Sequence, residues 1–110
     1  MRTHVLRLHS GDDPKAALDA LVKQSGWTAA CVLSAVGSLT EASLRFADQA
    51  EVTTLRGHFE FVGLTGTLSP DGSHLHLAVS DSTGVTRGGH LKEGSRVYTT
   101  VEIVLAIEAK

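Results

Sequence analysis

His74 and His76 stand two apart in "HLHLAVSD", and His90 follows directly on Gly88-Gly89. On a strand, side chains two apart leave the same face with their Cα atoms about 7 Å apart, within reach of one small cation. Leu75 and Leu77 then face a core. Gly88 and Gly89 carry no Cβ, so the backbone there can approach a neighbour closely and turn freely, which makes His90 the natural third donor. Three neutral imidazoles plus a water form a known zinc arrangement with an open position. Copper, nickel and iron accept the same donors, so the pattern points to a divalent transition metal without naming it. The plain alternative is a strand with a histidine-rich outer face and His90 at a turn.

Other side chains would complete such a site. Glu102, in the middle of the last apolar run, is a candidate to orient an imidazole through its second nitrogen, its alternative being an ordinary exposed carboxylate. Asp81 ends the strand of His74 and His76, but its odd offset places it on the opposite face and makes it a poor ligand. Arg45, in "SLRF", and Arg87, before the glycine pair, are candidates to hold a carboxylate or phosphate group bidentately. Their plain alternative is an ion pair with Asp48, Glu60 or Asp81. Ser34, Ser38 and Cys31 lack an activating motif such as a Gly-x-Ser-x-Gly elbow, and Cys31 reads as a core residue. The glycines of "SDSTGVTRGGHL" are not followed by a Lys-Ser/Thr pair or a helix, so they read as a loop rather than a phosphate cradle.

The elements that must position these residues follow from periodicity. Residues 2–9 alternate with Leu6 and Leu8 on one side, an opening strand. A change of period follows: Asp12 or Asp13 can cap, Pro14 suits the first helical position, Ala17, Leu18, Leu21 and Val22 share a face, and Gly26 ends the run. This predicts one principal helix at about residues 13–25. Five β-leaning runs come after it, "AACVLSAVGSL", "ASLRFA", "AEVTTLRGHFEFVGLTGTLS", "HLHLAVSD" and "RVYTTVEIVLAIEA". "VGSL" reads as a turn between the first two, and Pro70-Asp71-Gly72-Ser73 as a turn joining antiparallel neighbours. In the last run Val97, Thr99, Val101, Ile103, Leu105 and Ile107 form the side for the core. Val104 and Ala106 soften the other side, which suggests partial burial at a subunit contact. The expectation is an α+β fold with a mainly antiparallel sheet, a single domain over residues 1–110.

Composition narrows the functional classes. With 110 residues and 42% of them hydrophobic, the chain can bury a core without a disulfide or structural metal. A net charge of −2 and singly scattered lysines and arginines argue against direct nucleic-acid binding. The lone Cys31 is compatible with a reducing cytoplasm, and no apolar stretch has the length of a signal core or membrane span. The sequence therefore reads as soluble, unexported and cytoplasmic.

Five segments in order, "VLSAVGSLTEASLRF" (32–46), "LRGHFEFVGLTGTLS" (55–69), "HLHLAVSD" (74–81), "GGHL" (88–91) and "VYTTVEIVL" (97–105), resemble the plants-and-prokaryotes conserved (PPC) domain over nearly the whole chain. The resemblance implies a compact α+β domain assembling as a homotrimer. In plants that domain follows AT-hooks, Arg-Gly-Arg-Pro tracts for the A·T minor groove, and none occurs here. Minor-groove insertion needs cationic side chains that no segment here supplies, so the family's DNA-binding description lacks its physical basis in this chain. The plant Gly-Arg-Phe-Glu-Ile segment, associated with partner recognition and nuclear function, is matched by Gly57, His58, Phe59, Glu60 and Phe61, with histidine in place of arginine. His-x-His also marks cupin barrels, which rank second because the capped helix and the PPC motifs point away from them.

Two functions are expected from these readings. The first is a homotrimeric binding and assembly module whose histidine-lined site holds a metal ion, zinc or a similar cation, or a small anionic ligand. The alternative is a small zinc-dependent hydrolase-type enzyme in which His74, His76 and His90 hold the metal and Glu102 or Asp81 handles protons.

Overall fold

The computed structural model describes residues 1–108. The chain runs β1 (Arg2–His9), α1 (Pro14–Ser25), β2 (Ala29–Arg45), β3 (Thr53–Ser69), β4 (Gly72–Ser80), β5 (Thr86–Leu91) and β6 (Arg96–Glu108). All six strands form one antiparallel sheet in the order β1-β6-β2-β3-β4-β5. The far edge then returns on itself, because β5 also pairs with β2 through Leu44↔Leu91 and Arg45↔His90. β2, β3, β4 and β5 thus curl into a closed, barrel-like half, while β6 and β1 extend the sheet on the other side of β2.

The helix forms where the sequence predicts it. Asp13 is its N-cap, accepting the backbone N–H of Lys15 at 3.1 Å and of Ala16 at 3.2 Å on one carboxylate oxygen. Its other oxygen accepts the N–H of Gly94 at 2.8 Å, so one side chain ties the helix start to the β5–β6 turn. Gly26, at φ 71°, ends the helix in the left-handed conformation, and its N–H donates to the carbonyl of Val22. Leu18 and Val22 are buried, and α1 packs on β3, β4 and β6.

The core lies between the helix and the concave face of the sheet. From β4 it takes Leu75, Leu77 and Val79, and from β6 Val97, Val101, Ile103, Leu105 and Ile107. Thr99 departs from the expected alternation. The β2–β6 register shifts between Gly37 and Leu39, and Thr99 turns out to solvent, where its hydroxyl meets that of Ser38 at 2.8 Å.

Three local expectations are corrected. "VGSL" is no turn: β2 is one strand, and Gly37 lies inside it at φ 152°, where an added Cβ would stand 2.6 Å from Cα of Val101. A glycine that admits a close strand crossing leaves the same local mark as one that makes a turn. The segment read as a loop, Thr86–Leu91, is strand β5. Cys31 is half-buried rather than a core residue. The Pro70-Asp71-Gly72-Ser73 turn does join antiparallel neighbours, β3 and β4, closing on Ser69↔Gly72.

Candidate metal centre

The hairpin turn at 70–73 sets the register of β3 and β4, and that register decides which way each residue of "HLHL" points. With Ser69 opposite Gly72, counting back puts Thr67 opposite His74 and Thr65 opposite His76. Leu75 and Leu77 go inward, each 1% exposed, and His74 and His76 go outward. Across the other edge of β4, His76 faces His90 directly.

His90 arrives there because glycines precede it. A Cβ at Gly89 would stand 2.8 Å from the carbonyl oxygen of Arg45, and one at Gly88 would stand 3.1 Å from that of Leu77. A side chain at position 89 would collide with the end of β2 and one at 88 would crowd β4, so the glycine pair lets β5 fit between them.

The three imidazoles converge. Ring centroids are 5.1 Å apart for His74 and His76, 4.9 Å for His74 and His90, and 4.5 Å for His76 and His90. One nitrogen from each ring lies within 4.8 Å of the other two. Tetrahedral zinc with Zn–N bonds of about 2.0–2.1 Å sets its ligand nitrogens roughly 3.3–3.4 Å apart, so small rotamer changes would close the triangle. His74 and His76 are exposed and His90 half-buried, which leaves the group open to entry. The His90 imidazole is held below its ordinary pKa of 6.5, first by loss of solvent, then by the Arg45 guanidinium, His76, His74 and Lys92. Both influences favour the neutral ring, the form that ligates.

A pocket of about 530 Å³ opens beside the rings, lined by Arg45, Asp48, Gly63, Thr65, His76 and His90 among others. Arg45 stands opposite His90, and its Nη1 donates to the carbonyl of Gln49 at 3.1 Å. Gly63 and Thr65 are absent from the sequence-based expectations, and Asp48, expected there only as an ion-pair partner, lines the pocket without an ion pair among the described residues. Thr65 was within reach of them, since counting back from the turn pairs it with His76.

The remaining candidates lie elsewhere. Glu102 is on the outer face of β6 and forms an ion pair with Arg7, its carboxylate 3.1 Å from Nε, with β2 and β3 between it and β4. It orients an arginine, not an imidazole. Arg87 lines a different pocket, with Arg56, His58 and Asp81. Asp81 organises the β4–β5 loop: its Oδ1 accepts the N–H of Thr83 at 2.9 Å, the hydroxyl of Thr83 at 2.8 Å and the N–H of Val85 at 3.1 Å. Those bonds, the Thr83 hydroxyl foremost, lower its pKa. The hydrolase reading therefore finds neither of its proton-handling carboxylates beside the histidines. No helix among the described residues is long and apolar enough to cross a membrane.

Known proteins share this architecture. A segment of the bifunctional protein GlmU of Synechococcus sp. (strain JA-3-3Ab) is 52% identical over 106 residues, 96% of this chain and 17% of that protein. AT-hook motif nuclear-localized protein 25 of Arabidopsis thaliana is 33% identical over 96% of this chain and 38% of its own length. The chain thus spans well under half of these longer relatives. Among solved structures, a hypothetical protein of Salmonella enterica superposes with a TM-score of 0.92 at 46% identity, covering 94% of this chain and 75% of that one. A protein of Archaeoglobus fulgidus described as metal-containing gives a TM-score of 0.80 at 26% identity, over 100% of this chain and 82% of its own. The model of the Plants and Prokaryotes Conserved (PCC) domain, the family also written PPC, matches residues 1–108. By that match, the chain belongs to the PCC domain family.

Proposed function

We propose that this PCC domain is a self-associating binding module whose centre is a divalent transition metal, zinc in the first place, held by His74, His76 and His90. The convergence of three imidazole nitrogens within 4.8 Å carries the reading. The donor set fits: it is all nitrogen, it is open to solvent, and one ring is biased toward its neutral form. The metal-containing A. fulgidus neighbour supports it. When bound, such a cation supplies a Lewis acid with an open position. The test is calorimetric titration of zinc into wild type and His76→Ala, with elemental analysis of untreated protein. One equivalent bound by wild type and none by His76→Ala is expected; coincident titrations would reduce the histidines to a polar strand face.

Self-association as a homotrimer is the second part of the proposal. On the outer side of β1, β6 and β2, Val5 is 68% exposed and Val36 59%, with Val104 opposite Val5. Apolar strand faces of this kind are what obligate interfaces cover. Sedimentation at micromolar concentration should give three times the chain mass, and monomer alone would contradict it. The match to part of GlmU supports a domain that also works within a longer protein. Lone Cys31 suits work in a reducing cytoplasm. For nucleic acid we propose weak or no direct binding, since the charge is −2 and these residues hold no AT-hook.

A further inference from the structure

One cross-strand row builds the pocket beside the imidazoles. Register sets Arg45 opposite His90, His90 opposite His76, and His76 opposite Thr65. Residues directly opposite one another across a sheet project from the same face, so a guanidinium, two imidazoles and a hydroxyl share one side. Gly63, Ala78, Gly88 and Gly89 line the space between them, and their absent or small side chains keep it clear.

Arg45 is underused by the fold. A guanidinium has five N–H donors, and Arg45 shows one bond, from Nη1 to the Gln49 carbonyl. Among the described residues it forms no ion pair; the two ion pairs present are Arg7–Glu102 and Lys15–Asp19. Asp48 lines the same pocket without closing on it. A half-buried guanidinium with spare donors, in a glycine-lined pocket beside a cation site, suits oxygen atoms that carry negative charge.

We propose that this pocket binds a small oxyanion, a carboxylate or a phosphoryl group on a short aliphatic body, with Arg45 as its anchor. The proposal rests on the metal-binding reading above, since a cation on the three histidines supplies the second attraction. Ala78 and Ala47 complete the lining and accept the apolar body. At about 530 Å³ the space suits a small molecule and not a polymer.

Cobalt(II) serves as the probe metal, because its visible spectrum responds to its ligands. Wild type and Arg45→Met are loaded with cobalt and titrated with acetate and with methylphosphonate, following the spectrum and the heat. Both proteins should load one equivalent. Wild type should then bind an anion saturably, and Arg45→Met should bind it at least about tenfold more weakly, the loss expected for a charge-assisted hydrogen bond. Whichever anion binds more tightly identifies the carboxylate or the phosphoryl source. Equal anion affinity in the two proteins, or no saturable binding by loaded wild type, overturns the proposal. If wild type loads no cobalt, the metal reading fails by itself. The same anions titrated into metal-free wild type and Arg45→Met then decide the role of Arg45 by the same comparison. Should Arg45→Met melt out of the working range, Arg45→Lys replaces it, keeping the charge while losing the planar fork, with a smaller weakening expected and equality again refuting.

Discussion

Gly66 and Gly63 lie on the same strand, β3, yet alanine should have opposite consequences at the two positions. At Gly66, φ is 150°, and an added Cβ would overlap the carbonyl oxygen of His74 and stand 2.8 Å from Cα of Leu75. Against a carbon–carbon contact of about 3.5 Å, that is short by about 0.7 Å, and the atoms in the way are backbone. β3 and β4 must separate there, at the residue that carries the first imidazole. Holding alanine at such a φ costs about 1–3 kcal/mol, and forcing packed strands apart a further 1–3 or so. Gly66→Ala should therefore lose about 2–6 kcal/mol and melt at least about 8 °C lower. A shift of about 0.7 Å also exceeds the roughly 0.2 Å tolerance of a zinc ligand, so zinc affinity should fall at least about tenfold. Gly63 has nothing within 4 Å of an added Cβ, and Gly63→Ala should stay within about 0.5 kcal/mol of wild type and keep its zinc. Thermal melts of metal-free protein and zinc calorimetry on both variants provide the assay. If Gly66→Ala melts and binds zinc like Gly63→Ala, then β4 is not held where its histidines depend on that contact.

His4→Ala should leave zinc binding intact, because His4 packs edge-on against Trp27, with ring centroids 5.2 Å apart, and calorimetry beside His76→Ala checks it. Zinc affinity should fall as pH drops through the imidazole range, since the ligating form is neutral; titrations at pH 7.5 and at about pH 5.5 measure the loss. Asp81 has a folded pKa below its ordinary value of 3.8, so its stabilisation is fully present above that value and is lost as pH falls through the depressed one. Asp81→Asn should then flatten the acid limb of stability against pH, read by denaturant melts from pH 5 downward. Gly89→Ala should loosen β5 from β2, because its Cβ would meet the Arg45 carbonyl, and should weaken zinc binding through His90.

How far these features can be read in the sequence depends on whether their causes are local. The helix was legible because its start and stop signals lie within it, with Asp13 capping, Pro14 at the first position and Gly26 beyond the end. The β3–β4 register was legible from the Pro-Asp-Gly-Ser turn, and with it the outward direction of His74 and His76. Strand β5 was not, because "TRGGHL" has little β-preference of its own and is extended by pairing with β4 on one side and β2 on the other. Gly37 misled for the same reason, its partner Val101 being far along the chain. Glu102 shows a further gap: alternation tells which face a residue takes, but not how many strands separate it from another residue on that face. Arg45 could be suspected from its type, whereas its place in the row with His90 and His76 comes from the closure of the sheet.

That closure puts the imidazoles at a seam. β5 has six residues, of which Leu91 alone is buried, so little apolar area fastens it to the rest of the molecule. A short strand fastened so lightly opens by local fluctuation more readily than the strands beneath the helix. A cation bridging His90 to His74 and His76 would act as a latch across the opening. Ligand at about a hundred times its dissociation constant adds about 2.7 kcal/mol to the state that binds it, a near hundredfold cut in the open fraction. Occupancy of the site would then be written in the exchange rates of the β5 backbone amides, and the metal would set how often the barrel unzips.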